Sequence, residues 1–124
     1  MPTYMVNCTY SPGSWARMIR VADDRVEAAS ELMQALGGSL ESAYWEVSAR
    51  AVYAIVDLPD SSTATAVAAV LTHTGAFKNV ELHEVLTQAQ FTGVLELADD
   101  VSQVYRAPGQ ALLEEDSSRS RFRR

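Results

Sequence analysis

Cysteine is almost absent: Cys8 is the single one in 124 residues. No internal disulfide can form, and the usage fits a reducing compartment. Histidine is nearly as scarce. His73 and His83, with one distant cysteine, make no closed zinc set. The six glycines include no phosphate cradle, because "SPGSW" and "LGGSL" lack the required glycine spacing and a following lysine. These absences lead us to expect no metal and no cofactor. No run of 18 apolar residues occurs, and the opening "MPTYMV" has no basic stretch. The expectation is therefore a cytoplasmic protein with neither a membrane span nor a secretory signal. Positive charge is sparse and displaced. Arg119, Arg121, Arg123 and Arg124 crowd the last six positions, leaving six basic against sixteen acidic side chains in residues 1–116. A body this acidic repels phosphate backbones and argues against nucleic-acid binding.

What is present is hydrophobic residue in periodic order, 48% of the chain, enough for one core without staples. "PTYMVNCTY" reads as a strand, with Tyr4, Val6, Cys8 and Tyr10 on one face and Met5, Asn7 and Thr9 on the other. Ser11 and Pro12 open a helix carrying Trp15, Met18 and Ile19. Asp24 and Glu27 mark a restart, and the second segment runs through Val26, Ala29, Leu32, Met33 and Leu36 to the stop at Gly37 and Gly38. "SLESAYWEV" and "AVYAIVDL" are two strands joined by a turn around Ser48 to Arg50. That turn holds an arginine where a tight hairpin usually places glycine or asparagine. A helix over "TATAVAAVLTHTG", a strand over "KNVELHEVLT" and a further helix over "TQAQFTGVLELADDV" follow. The last of these contains Gly93, which costs a helix about 1 kcal/mol relative to alanine.

The order β-α-β-β-α-β predicts an α+β, ferredoxin-like four-stranded antiparallel sheet with both main helices on one face, plus an extra C-terminal helix. The other face would hold Met5, Tyr53 and Ile55, too apolar to leave in water. Two sheets placed face to face would cover each other, so we expect a homodimer or higher homo-oligomer. Residues 1–110 are expected to form the domain. Residues 111–124, a charged stretch of serine, acidic residues and arginine, are expected to be a flexible tail.

Several segments taken in order resemble the GYD domain family, small bacterial proteins of the dimeric α+β barrel type, over roughly residues 1 to 110. They are "MPTY", "LGGSLESAYW", "VDLPD", "NVELHEVLT" and "VYRAPG". The naming Gly-x-Tyr-Asp pattern, counted without gaps from Gly37 and Gly38, falls on Ser48, Arg50 and Ala51, and none of the three is retained. The family has no agreed activity to transfer. The wider superfamily implied by the resemblance includes cofactor-independent oxygenases, isomerases and cyclases acting on aromatic or polyketide-like compounds, haem-handling relatives and ligand-sensing modules.

His83 lies mid-strand, and the expected strand order places Asn7, Tyr53 and Asp57 on its face. A histidine near a carboxylate and hydrogen-bonding partners is the minimal set for general acid–base work. Interface hydrogen bonding by His83 and a plain strand-end role for Asp57 are the competing readings. Trp15, Tyr44, Trp45, Tyr4, Tyr10 and Tyr53 are candidate walls for a flat ligand, Trp15, Tyr44 and Trp45 foremost, with ordinary core packing as the alternative. Arg50 is a candidate anion holder, or a solvated turn residue. Cys8 is expected on the helix-facing side, where burial makes a thiol inert. Two functions stay open. One is a small-molecule enzyme or binder using a barrel pocket for cofactor-independent acid–base chemistry. The other is a non-catalytic oligomeric accessory or ligand-sensing protein that docks on a partner.

Overall fold

The computed structural model describes residues 1–109; the expected tail, 111–124, lies outside the described residues. Strand β1 (Thr3–Tyr10) leads through α1 (Pro12–Arg20) and α2 (Arg25–Ala35) to the hairpin of β2 (Ser39–Glu46) and β3 (Ala51–Asp57). Then come α3 (Ser61–His73), β4 (Phe77–Val85) and α4 (Gln88–Val101). The sheet order is β2-β3-β1-β4, with every neighbouring pair antiparallel. This is the ferredoxin-like α+β arrangement, its first crossover split into two helices.

Each helix starts where a short polar side chain satisfies an otherwise orphaned backbone N–H. Ser11 accepts from the Ser14 amide with Pro12 just inside α1, and Asp24 accepts from the Glu27 amide at α2. At α3, Asp60 accepts from both the amide and the hydroxyl of Thr63, at 2.8 and 2.7 Å. At α2's end, Gly37 takes a positive φ of 80° and the Gly38 N–H returns to the Met33 carbonyl at 2.8 Å. Gly38 is also where the chain passes β3 so closely that any Cβ would overlap the Asp57 carbonyl oxygen.

Alternation along β1 decides where the core sits. Tyr4, Val6 and Cys8 pack with Val56 and Leu58 against Met33 of α2 and Ala64 and Val67 of α3. Full burial of each large apolar member stabilises by about 1.5–3 kcal/mol. Backbone bonds seal the sheet's corners: Leu58 N–H to the Pro2 carbonyl, Tyr10 N–H to Arg50, and Ser11 N–H to Ala76.

Two units are distinguished: Met1–Leu86, which holds the sheet and α1–α3, and a second from Thr87 onward. In the second, Thr87 and Gln90 form a reciprocal capping box that starts α4 despite Gly93. Phe91, Val94, Leu95 and Val101 recur along α4 at helical spacing and are exposed. Among the described residues, no helix is long and apolar enough to cross a membrane.

Candidate functional site

The pairing registers assemble the side chains of the sheet face away from α1–α3 into rows. Tyr44, Tyr53, Asn7 and Glu81 form one; Ser42, Ile55, Met5 and His83 the next; Asp57, Thr3 and Val85 a third. All four expected acid–base residues lie on this face, but Tyr53, His83 and Asp57 each face a different partner and not one another. The Tyr53 hydroxyl donates to Glu46 Oε1 at 3.0 Å, and that carboxylate raises the phenol's pKa. His83 Nε2 lies 3.7 Å from Glu81 Oε1, and Glu81 also accepts from Asn79 Nδ2 at 3.2 Å. Asp57 accepts from the Thr3 hydroxyl at 2.6 Å, one row away from His83. Asn7 stands between Tyr53 and Glu81, its side-chain oxygen buried without a hydrogen-bond partner. Met5 and Tyr53 remain 43% and 38% exposed.

Concave space lies on the opposite side. Between the sheet and α1–α2 is a cavity of about 720 Å³, reaching the end of α3 and β4. Its floor includes Val6, Cys8, Tyr10, Ala54 and Trp45. The volume exists because small residues stand where a filled core would place larger ones: Ala28 and Ala29 on α2, Ala43 on β2, Ala54 on β3. It falls within the range of about 300–1,000 Å³ typical of small-molecule sites.

Few polar groups reach inside. Tyr10, only 5% exposed, packs its ring against Phe77 and Trp15, with centroids 4.8 and 5.9 Å away. Its hydroxyl accepts from Trp45 Nε1 at 3.3 Å, which leaves the phenolic proton for another acceptor. Cys8 also lines the floor, and burial pushes its thiol up to about 11, so it is neutral at physiological pH. Charge gathers only at the α1–α2 corner, on Arg17, Arg20, Asp23 and Arg25. Arg25 Nη1 pairs with Asp23 at 2.9 Å, whereas Arg17 Nη2 donates to the hydroxyl of buried Ser14 at 3.1 Å. A second depression, about 450 Å³ around Trp15 and Ile19, shares Met18, Asp23, Arg25 and Trp45 with the cavity.

The expected ligand-binding residues separate accordingly. Trp45 lines the cavity and Trp15 the depression beside it, but Tyr44 is on the far face and Arg50 is at the hairpin tip. A β-bulge between Leu40 and Ser42 decides this, since the extra residue Glu41 reverses the alternation of everything after it. The sheet itself divides the wall residue Trp45 from His83, Asp57, Asn7 and Tyr53. One ligand in the cavity of one chain cannot touch both groups. Sequence reasoning overlooked Arg17 and Arg20, and named Tyr10 only as one of several candidate wall aromatics, without its Trp45 partner. The even face of β1 was the available signal for Tyr10, but only the packing of α1 over the sheet brings the arginines to the cavity. Among the described residues, no group of three or more His, Cys, Asp or Glu is placed to hold a metal ion.

The GYD domain family model matches residues 4–95. No curated protein and no solved structure gives a match.

Proposed function

Because the chain belongs to the GYD domain family, which brings no activity with it, we propose from its own geometry that it is a small-molecule-binding protein. Its ligand occupies the alanine-lined cavity between the sheet and α1–α2. The observation that carries this reading is a largely apolar volume of about 720 Å³ lined by Tyr10, whose buried hydroxyl is oriented by Trp45. An aromatic body fits the walls of Trp45, Phe77 and Tyr10. If the bound compound is turned over without a cofactor, Tyr10 is the group positioned to share a proton with it. The test is titration with N-phenyl-1-naphthylamine, a neutral aromatic probe that fluoresces in apolar surroundings. Ala43→Phe puts a ring into the volume, so we expect it to weaken probe binding about tenfold or more while the melting temperature stays near the parent's. Equal binding by both proteins rejects the cavity as the site.

The acid–base set of His83, Asp57, Asn7 and Tyr53 belongs to a second reading, favoured by the buried, unpartnered oxygen of Asn7. Two copies meeting through the far faces of their sheets would enclose that set and cover Met5, Ile55 and Tyr53. Sedimentation should then report a dimer that Met5→Glu converts to monomer. A parent protein that is monomeric at high concentration removes this reading.

A further inference from the structure

The cavity's entrance differs in charge from the rest of its unit. Residues 1–86 contain five basic side chains, Arg17, Arg20, Arg25, Arg50 and Lys78, against ten acidic ones. Three of the five, Arg17, Arg20 and Arg25, line the cavity, accompanied by a single carboxylate, Asp23. That carboxylate is already paired with Arg25. Among the described residues, neither Arg17 nor Arg20 is in an ion pair, in a chain of net charge −6 where carboxylates are plentiful. The Arg17 guanidinium is moreover oriented through one of its own donors, Nη2 donating to the hydroxyl of Ser14, which is 7% exposed, and its remaining N–H groups stay available. Both arginines stand in the last turn of α1, where the helix dipole favours a cation. The dipole accounts for positive charge at that helix end. It does not account for both side chains bordering the same apolar volume.

Resting on the cavity reading above, we propose that the ligand is an organic anion: an apolar, aromatic-bearing body lodged over Cys8, Ala43 and Ala54, with one carboxylate or comparable acid group held at the mouth by Arg17 and Arg20. Guanidinium forks match such planar anions with two parallel N–H donors. An acidic protein surface repels anions generally, so a local pair of unmatched arginines also guides the ligand to this entrance.

A matched pair of probes tests the charge separately from the cavity. N-phenyl-1-naphthylamine and 8-anilinonaphthalene-1-sulfonate share one aromatic skeleton and differ by the sulfonate. The parent protein should bind the sulfonate about fivefold to tenfold more tightly than the neutral probe, the size expected of charge-assisted hydrogen bonds discounted for an exposed mouth. In the double variant Arg17→Gln, Arg20→Gln that preference should fall towards one. Lys78→Glu, which changes the net charge by the same two units away from the cavity, should leave it intact, and 0.5 M salt should reduce it in the parent. If the neutral probe does not bind, the cavity reading falls and the anion reading with it. If the neutral probe binds, Ala43→Phe weakens that binding as expected, and the sulfonate shows no preference in the parent or keeps it in the double variant, only the anion reading is overturned.

Discussion

Two faces of one sheet, separated by the thickness of a backbone, carry opposite resources. The helix-facing side has volume and almost no titratable chemistry: apolar walls, a thiol held neutral by burial, and a tyrosine–tryptophan pair whose polar atoms meet each other. The far side has titratable chemistry, with Tyr53 on Glu46, His83 near Glu81 and Asp57 on Thr3, and none of these residues lines the cavity. Reactive residue types therefore do not mark the cavity here. Charged and hydrogen-bonding side chains persist on the far side because water can reach them there, whereas inside the cavity each would need a dedicated partner. Tyr10 is tolerated inside because Trp45 supplies that partner.

The contrast in burial is the part most open to attack. Leu58, 0% exposed in the helix-side core, should cost about 2–5 kcal/mol when replaced by alanine, read from urea unfolding. Met5, nearly half exposed on the far face, should cost less than about 1 kcal/mol in the same experiment on dilute protein. The comparison sharpens if the Met5→Ala cost grows with protein concentration, because a face covered by self-association is buried only when copies meet. Equal costs at every concentration would mean that the two faces are equally buried in solution, and the distinction would be gone.

A smaller effect tests how the covering helices are anchored. Hydrogen bonds from the Thr63 hydroxyl and amide hold the Asp60 carboxyl below the usual aspartate range. A folded-state pKa below the unfolded value means that Asp60 contributes stability above the unfolded value and loses that contribution as pH falls through the folded one. The melting temperature of the parent should therefore exceed that of Asp60→Ala at neutral pH, and the gap should narrow as pH drops below about 4. A gap that is unchanged at pH 2 would assign the effect to something other than the carboxylate's charge.

Much of this arrangement was legible in residue order. The period-2 pattern of β1 assigns Tyr4, Val6, Cys8 and Tyr10 to one face, and the Ser11, Asp24 and Asp60 caps mark three helix starts. The sheet order follows from the element order once handedness and antiparallel pairing are assumed. The site was less legible, for two physical reasons. The bulge at Glu41 breaks the period on which face assignment depends, so Tyr44 and Trp45 cannot be told apart as wall and exterior from "SLESAYWEV" alone. The cavity, in turn, is made by what alanine lacks. Ala28, Ala29, Ala43 and Ala54 look like ordinary packing residues until α2 and the strands face each other. Arg17 and Arg20 look like a helix terminus for the same reason.

The hairpin at the edge of both faces gives the smallest effect. Arg50 is the one non-glycine residue among those described with a positive φ, 52°. It closes the turn through its N–H to the Val47 carbonyl and accepts from the Tyr10 N–H at 2.8 Å, so the left-handed conformation is fixed from both sides. A side chain there costs about 1 kcal/mol, and glycine would remove that cost while adding about 0.5 kcal/mol of unfolded-chain entropy to be lost. Arg50→Gly should consequently raise stability by about 0.5 kcal/mol, without changing the register of β2 on β3. The backbone of this turn demands a residue tolerant of positive φ, and arginine meets the demand at a small energetic cost. If Arg50→Gly lowers stability instead, the arginine side chain must hold a contact worth more than its backbone strain, and the hairpin tip would rejoin the cavity mouth as a second place where this acidic chain keeps a cation for a purpose.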